Sequence, residues 1–360
     1  MTYRFALALA TALLLTGCGG DRLPRADGAR EPLPVRAVVV TMFEIGEDRG
    51  DQAGEFQLWR QRRGLDEIIP FPAHHDLAYD PASQLLAMVT GIGTAKAAAS
   101  VMMLGMDDRF DLTRAYWLVA GIAGVDPEDA SLGSAAWADY VVDGDLAHEI
   151  DPREMPADWE YGYLALNTDE PFDEDRPSPT GELFRLNPSL TTWAYRLTRA
   201  MDLPDSPALA ASRARYTAHR NARRPPFVLR GDNLAALTFW HGELLNAWAN
   251  DWVAYWSDGD GEFVTSAMED TGTLQALSWL DRAGRVDRDR VMVLRTASNY
   301  TLPPPGVSAA ENLLAENQGY AGLDAALEAA YLVGSRVLDT LLANWEVYRE
   351  RPPRPADLSP

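Results

Sequence analysis

The chain has 360 residues, 47% hydrophobic and 24% charged, with 11 Trp and a single Cys. That composition excludes a disordered tail, a collagenous repeat and a disulfide-stapled mini-protein, and it supplies enough apolar surface for a substantial core. With 53 acidic against 32 basic side chains the formal charge is −21, so the average field repels phosphate backbones and anionic membrane surfaces, and no nucleic acid partner is expected.

Residues 1–17 carry one cation, Arg4, then an apolar run from Phe5 to Leu15 that is too short to span a bilayer. This is the pattern of an export signal peptide. Leu15-Thr16-Gly17-Cys18 also resembles the bacterial lipobox, which makes Cys18 the expected lipidation site and accounts for its being the only Cys. Residues 18–34 are rich in Gly, Pro and charge without apolar period, and read as a lipidated tether. Gly19 follows the Cys where an Asp would signal inner-membrane retention. By resemblance to enterobacterial sorting, the expected address is periplasmic, lipid-anchored to the outer membrane. No later stretch reaches the length of a membrane span.

In the body, Val35–Met42 is a nearly continuous apolar, β-branched run, as expected of a strand covered on both faces. Leu85–Val89 repeats the pattern, a Thr90–Gly93 turn follows, and the Ala-rich stretch Thr94–Leu104 predicts a helix packed close to a sheet. Arg114–Ile122 is the next buried strand, which completes a β-α-β unit. A strand is predicted over Ser134–Val142 and another over Val291–Thr296. Residues 151–187, dense in Pro, Asp and Glu, predict a long irregular excursion. Helices are predicted at 188–202, 239–256, 270–282 and 321–349, and residues 351–360 read as a disordered tail. The expectation is one α/β domain over residues 35–350, a three-layer arrangement with a mixed, curved sheet between helices.

Ligands of α/β sheets bind at the carboxyl ends of strands. Four segments fall there: Thr41-Met42-Phe43-Glu44, Thr90-Gly91-Ile92-Gly93, Gly121-Ile122-Ala123-Gly124 and Thr296-Ala297-Ser298-Asn299. Singly, each could be a tight turn or a helix cap. Together, and with Met268-Glu269, their order resembles that of the nucleoside phosphorylase and nucleosidase superfamily over most of residues 35–300. Closer still, the phrases WLVAGIAGVDPEDASLGSAAWADYVVDGDLAHEID, FWHGELLNAWANDW and RVMVLRTASNYTLPPPG resemble the purine nucleoside permease family of bacteria and fungi.

The resemblance implies a nucleoside phosphorylase-like fold and a purine nucleoside ligand. It implies that Thr90 and Gly91 contact ribose, with Thr90 also on phosphate in phosphorolytic members, and that Ala123 and Gly124 lie under the base. Met42 and Met268 would pack against the sugar, and Glu269 would accept its hydroxyls. Ser298 and Asn299 would sit beside purine N7, where the Asn299 amide is a neutral donor to the departing base. Phe239, in Phe239-Trp240-His241, is a candidate to stack on the purine. The family's nucleosidases carry a glutamate three residues after the first-strand Met. Here that position is Ile45, which leaves Glu44 and Glu47 as candidates for a displaced base. Gly46-Glu47-Asp48-Arg49 is a compressed, acidic version of an early phosphate loop, with Gly46 and Arg49 its candidate ligands. Inorganic phosphate stays open as a co-substrate. No other cofactor and no metal is expected, because the adjacent His74 and His75 cannot both face one site on a regular element. His148 is a candidate for the edge of the site. The implied function is an exported enzyme that hydrolyses or phosphorolyses the N-glycosidic bond. The alternative is a non-catalytic nucleoside-binding component that serves a separate transporter. A homo-oligomer is the default for such folds.

Overall fold

The computed structural model describes residues 31–358. The signal-like segment, Cys18 and most of the expected tether lie outside the described residues.

The three predicted apolar strands form over Ala37–Thr41, Leu85–Val89 and Tyr116–Val125, the last running three residues past its expected end at Ile122, and lie side by side in parallel. Because successive side chains point to opposite faces, each strand feeds two cores. Val38, Val40, Trp117 and Val119 pack on one side against Val101, Leu104, Leu274, Leu277 and Leu280 of the helices Thr94–Gly105 and Asp270–Arg282. Ala37, Val39, Tyr116 and Leu118 pack on the other with Trp193 of the helix Pro188–Thr198 and with Val333, Val337 and Leu341 of the helix Leu323–Ala343. This is the expected three-layer α/β architecture.

The mixed sheet has 12 strands. Its main path runs Leu183–Arg185, Tyr140–Asp143, Asp232–Ala235, Phe263–Ala267, Tyr116–Val125, Ala37–Thr41, Leu85–Val89, Leu77–Asp80 and Glu67–Ile69. Val291–Tyr300 runs parallel to Tyr116–Val125 along almost its whole length and pairs on its other edge with Ala135–Trp137. On the opposite edge of Tyr116–Val125 the pairing is interrupted. Ala37–Thr41 covers residues 116–119 and Phe263–Ala267 covers Gly124 and Val125, so residues 120–123 have no strand beside them there. Trp248, Trp252 and Trp256, spaced at i, i+4 and i+8 along the helix Glu243–Trp256, cover the outer strands at Val142, Leu234 and Phe263.

Several predicted elements differ. The strand expected over 134–142 is two strands, because Asp232 accepts hydrogen bonds from the backbones of Asp139 (2.9 Å) and Tyr140 (2.7 Å) and turns the chain between partners. The helix expected from residue 239 begins at Glu243, after Gly242 at φ +128°, which leaves Phe239 in a loop. The last helix breaks at Asn344, and a short turn over Trp345–Tyr348 follows. Leu33–Pro34 pairs with Phe110–Asp111, so a free tether cannot extend to residue 34. The segment 351–358, expected to be a disordered tail, is docked: Arg351 holds Asp357 at 2.7 Å, and Leu358 packs on the core.

The carboxyl-terminal segment is tied to the sheet by Arg290, 3% exposed, which donates to Asp287 (2.8 Å) and to the carbonyls of Tyr348 (2.7 Å) and Arg349 (2.9 Å). Arg290→Ala removes the guanidinium from both carbonyls, leaving that of Tyr348 to the Tyr116 hydroxyl at 2.7 Å, and should lower stability by about 2–4 kcal/mol. Denaturant midpoints of the two proteins check this, and an unchanged midpoint would refute the anchoring role.

Candidate functional site

Where Tyr116–Val125 lacks a neighbouring strand, its backbone still needs partners. Two side chains supply them. The Ile122 N–H donates to Glu55 Oε1 at 2.7 Å, and the Ile122 carbonyl accepts from Arg295 Nη1 at 2.9 Å. The second Glu55 oxygen accepts from the Met42 N–H, also at 2.7 Å. Gly121 is required beside them, because a Cβ there would stand 2.6 Å from both Glu55 Oε1 and Arg295 Nη1.

Arg295 is 2% exposed and pairs with both carboxylates at the start of the helix Asp270–Arg282. Asp270, fully buried, takes it in a fork, with Nε at 3.0 Å from Oδ2 and Nη2 on Oδ1. Glu269 Oε2 lies 3.3 Å from Nη2, and Glu269 Oε1 accepts from the Gly93 N–H at 3.2 Å. Gly93, at φ +103°, presents that N–H from the turn after Leu85–Val89. Complete burial opposes charge on Arg295, yet Asp270, Glu269 and Glu55 around it hold its pKa above the usual value. Glu269 is raised by burial against the pull of Arg295. Glu55 is pushed up to about 8, mostly by burial and further by the Glu269 charge, with Arg295 and its two backbone hydrogen bonds opposing.

The strand Val291–Tyr300 carries a β-bulge at the same level. Ala297 opposes Ala123 and Asn299 opposes Gly124, with Ser298 the extra residue. Consecutive residues of a regular strand face opposite ways, and the bulge is what lets Ser298 and Asn299 both face one cavity.

That cavity, about 240 Å³, brings together Met42, Ala123, Gly124, Phe239, Met268, Glu269, Ser298 and Asn299 with Glu55, Arg295 and Tyr320. The Phe239 and Tyr320 rings lie parallel within 6°, centroids 6.4 Å apart. Other expected site residues fall elsewhere. Thr90 is buried beneath the turn, its hydroxyl donating to the Gly91 carbonyl at 3.0 Å. Gly91 is buried too, and Ile92 is the turn residue that faces the cavity. Glu44 accepts from the backbone N–H groups of Ile45 (2.9 Å), Gly54, Phe56 (3.0 Å) and Gln57 (2.5 Å), so its carboxylate folds the loop, and it does not line the cavity. Gly46 and Glu47 are exposed on that loop, and Arg49 is paired with Asp66 at the surface. The compressed phosphate loop therefore does not converge on the cavity. His148 is exposed in a short strand pair with Tyr163–Leu164 and lines no part of it. His75 is held by Asp48 at 2.8 Å.

Sequence reasoning missed Glu55, Arg295 and Tyr320. Residues 44–54 loop out and close where the Glu55 N–H donates to the Phe43 carbonyl at 3.0 Å, so Glu55 sits at the end of the first strand in space but 13 positions after Met42 in the chain. Arg295 was legible only as part of the Val-Leu-Arg strand. Its fork with Asp270 joins residues 25 apart.

Solved structures sharing this architecture define the class: a mixed α/β fold of the nucleoside phosphorylase and nucleosidase type. A mutant Helicobacter pylori nucleosidase with 5′-methylthioadenosine in its active site superposes with a TM-score of 0.51 at 12% identity, over 85% of this chain and 99% of that one. Futalosine hydrolase from the same organism gives 0.50 at 13% identity, over 86% and 99%. Within this class the chain belongs to the purine nucleoside permease family, whose model matches residues 34–353. A Candida albicans purine nucleoside permease is 28% identical over 314 residues, 86% of this chain and 76% of its own length. A probable purine nucleoside permease of Schizosaccharomyces pombe is 30% identical over 295 residues, 79% and 82%. These relatives overturn the expected periplasmic, outer-membrane address. They are proteins of fungi, whose cells have no such compartment, and they carry the name of permeases. Among the described residues no helix is long and apolar enough to cross a membrane.

Glu55 binds its proton more tightly in the folded chain, near 8, than at its ordinary value of 4.5. A carboxyl with a raised folded pKa contributes stability that is full below the unfolded value and lost as pH climbs through the folded one. The wild type should lose stability between about pH 5 and pH 9, and Glu55→Gln, which cannot ionise, should flatten part of that loss. Denaturant midpoints across this range check the sign. Equal slopes for the two proteins would show that Glu55 ionises as freely folded as unfolded.

Proposed function

We propose that the cavity binds a purine nucleoside and that the protein hydrolyses its N-glycosidic bond. The observation that carries this reading is Glu55: a buried carboxylate, held near neutrality, in the same cavity wall as Glu269 and Asn299. A general base works best when its pKa lies near the operating pH. Breaking the bond leaves positive character on the ribose and negative charge on the departing base. Glu269 accepts the ribose hydroxyls and favours the cationic sugar, with Met42 and Met268 against it. Phe239 and Tyr320 flank the purine. Asn299 donates to N7 as charge gathers there. Glu55 takes a proton from a water molecule as the water oxygen bonds to the anomeric carbon. The N-glycosidic electrons leave with the purine, which takes up a proton from solvent as Glu55 returns its own to solvent.

Hydrolysis is favoured over phosphorolysis by charge. Arg295 is the single basic side chain among the lining residues, and Asp270, Glu269 and the Ile122 carbonyl already engage it. A phosphate dianion would enter a site with more carboxylates than cations. A second reading, nucleoside binding without turnover in the service of uptake, is favoured by the permease name of the relatives.

Incubation with inosine, adenosine and guanosine, with and without phosphate, should release free base and ribose without a phosphate requirement. Glu55→Gln and Asn299→Ala should each cut turnover by roughly 10²–10³ while changing affinity less than about tenfold. Glu269→Ala should weaken binding by about 2–4 kcal/mol through lost charge-assisted hydrogen bonds. Ribose 1-phosphate as the product would overturn hydrolysis. Tight binding with no product would select the second reading.

A further inference from the structure

The two ends of the Asn299 amide are held differently. Its Oδ1 stands 2.9 Å from the Ser298 hydroxyl, whose single proton also has the Ala123 carbonyl at 3.1 Å, so this hydroxyl can donate to the amide oxygen or accept from the amide nitrogen and does not fix the amide's orientation. Its Nδ2 stands 3.4 Å from both Glu316 Oε2 and the Tyr300 carbonyl. Glu316 does not line the nucleoside cavity. It lies behind Asn299, in the wall of a second cavity of about 170 Å³ that shares Asn299 with the first.

Glu316 is itself braced. Its Oε1 accepts from Asn312 Nδ2 at 2.9 Å, one turn earlier on the helix Ala309–Glu316, and Asn312 in turn faces His241 Nε2 at 3.3 Å. A capping box of Ser308 and Glu311 fixes the start of that helix. Both oxygens of Glu316 thus serve as acceptors, one for each amide. A glutamine could offer one acceptor only, and its NH₂ would meet the other amide donor head-on.

We propose that Glu316 is the positioning residue for base recognition: it holds one N–H of Asn299 so that the amide keeps its nitrogen, and not its oxygen, available to purine N7. The inference rests on the reading of Asn299 as the N7 donor. The contacts of Nδ2 are long, and hydrogen bonds at such sites tighten when a ligand arrives. A purine N7 competes with the Tyr300 carbonyl for one N–H while Glu316 keeps the other. Without Glu316 the amide can turn over, and its oxygen then repels N7. Protonation of Glu316 removes one of its two acceptors and has the same consequence. Burial lifts this carboxyl to about 7, against the hydrogen bonds from Asn312 and Asn299. The ionisable groups around it are Tyr216 and Arg215 across the second cavity, Tyr320 on the following turn, and His241 beyond Asn312.

The test compares two ligands that the reaction cannot cleave, carbocyclic inosine and its 7-deaza counterpart, by calorimetry on wild type and Glu316→Gln. Wild type should prefer the first by about tenfold or more at about pH 8, the worth of one hydrogen bond, and the preference should fall severalfold by about pH 6. Glu316→Gln should show less than about threefold preference at either pH while binding the 7-deaza ligand as wild type does. That unchanged binding also reports an intact fold. If wild type binds neither ligand, the nucleoside reading fails. If it binds both equally, Asn299 does not read N7. A preference that survives in Glu316→Gln, a loss of both ligands in parallel, or a wild-type preference flat with pH would each overturn the positioning role.

Discussion

The structure around the cavity depends on a charge that cannot be removed. Arginine stays protonated in proteins, so Arg295, buried within the sheet, has to be answered by carboxylates and carbonyls at close range. Asp270 answers in a fork, Glu269 on one nitrogen, and the unpaired edge of Tyr116–Val125 through the Ile122 carbonyl. Those three contacts pin the start of the helix Asp270–Arg282 to the middle of the sheet. They also set where Glu269 stands relative to the turn that supplies the Gly93 N–H.

The same constraint sets the electrostatics of the cavity. Glu55, Glu269 and Asp270 surround a single guanidinium, which can offset only part of their charge. Asp270 holds Arg295 most closely, and the cost of the excess falls on Glu55, whose contacts to the Met42 and Ile122 N–H groups do not compensate its burial. A carboxyl that is easily protonated is thus a consequence of how the sheet closes its gap. An acidic cavity of this kind suits a ligand that becomes cationic and opposes one that arrives as an anion.

Glycine and backbone irregularity make this packing feasible. Gly121 leaves room for a carboxylate and a guanidinium where any side chain would collide. The bulge at Ser298 turns two neighbouring polar residues toward one volume. Interrupted pairing, a bulge and a missing Cβ fall at one level of the sheet, where the cavity opens.

From the sequence by itself came the apolar strands, the Ala-rich helix, the three-layer α/β class and the family, because periodicity and short motifs are local properties. Met42, Ala123, Gly124, Ser298 and Asn299, which line the cavity, were legible as short motifs at or near strand ends, and Met268 and Glu269 through the family resemblance, which also rests on short motifs. Phe239 was legible as an aromatic but assigned to a helix that begins four residues later, because Gly242 sets that start through its positive φ. Glu44 and Glu55 mark where local reading ends. Both are carboxylates near the first strand, and proximity in sequence favours Glu44. The tertiary structure gives Glu44 four backbone N–H partners of its own loop and sends Glu55, after the loop has closed, into the cavity. Which carboxylate lines the cavity is decided by the gap beside Ile122 and by Arg295 behind it, contacts between residues 67 and 173 positions apart that no spacing along the chain encodes.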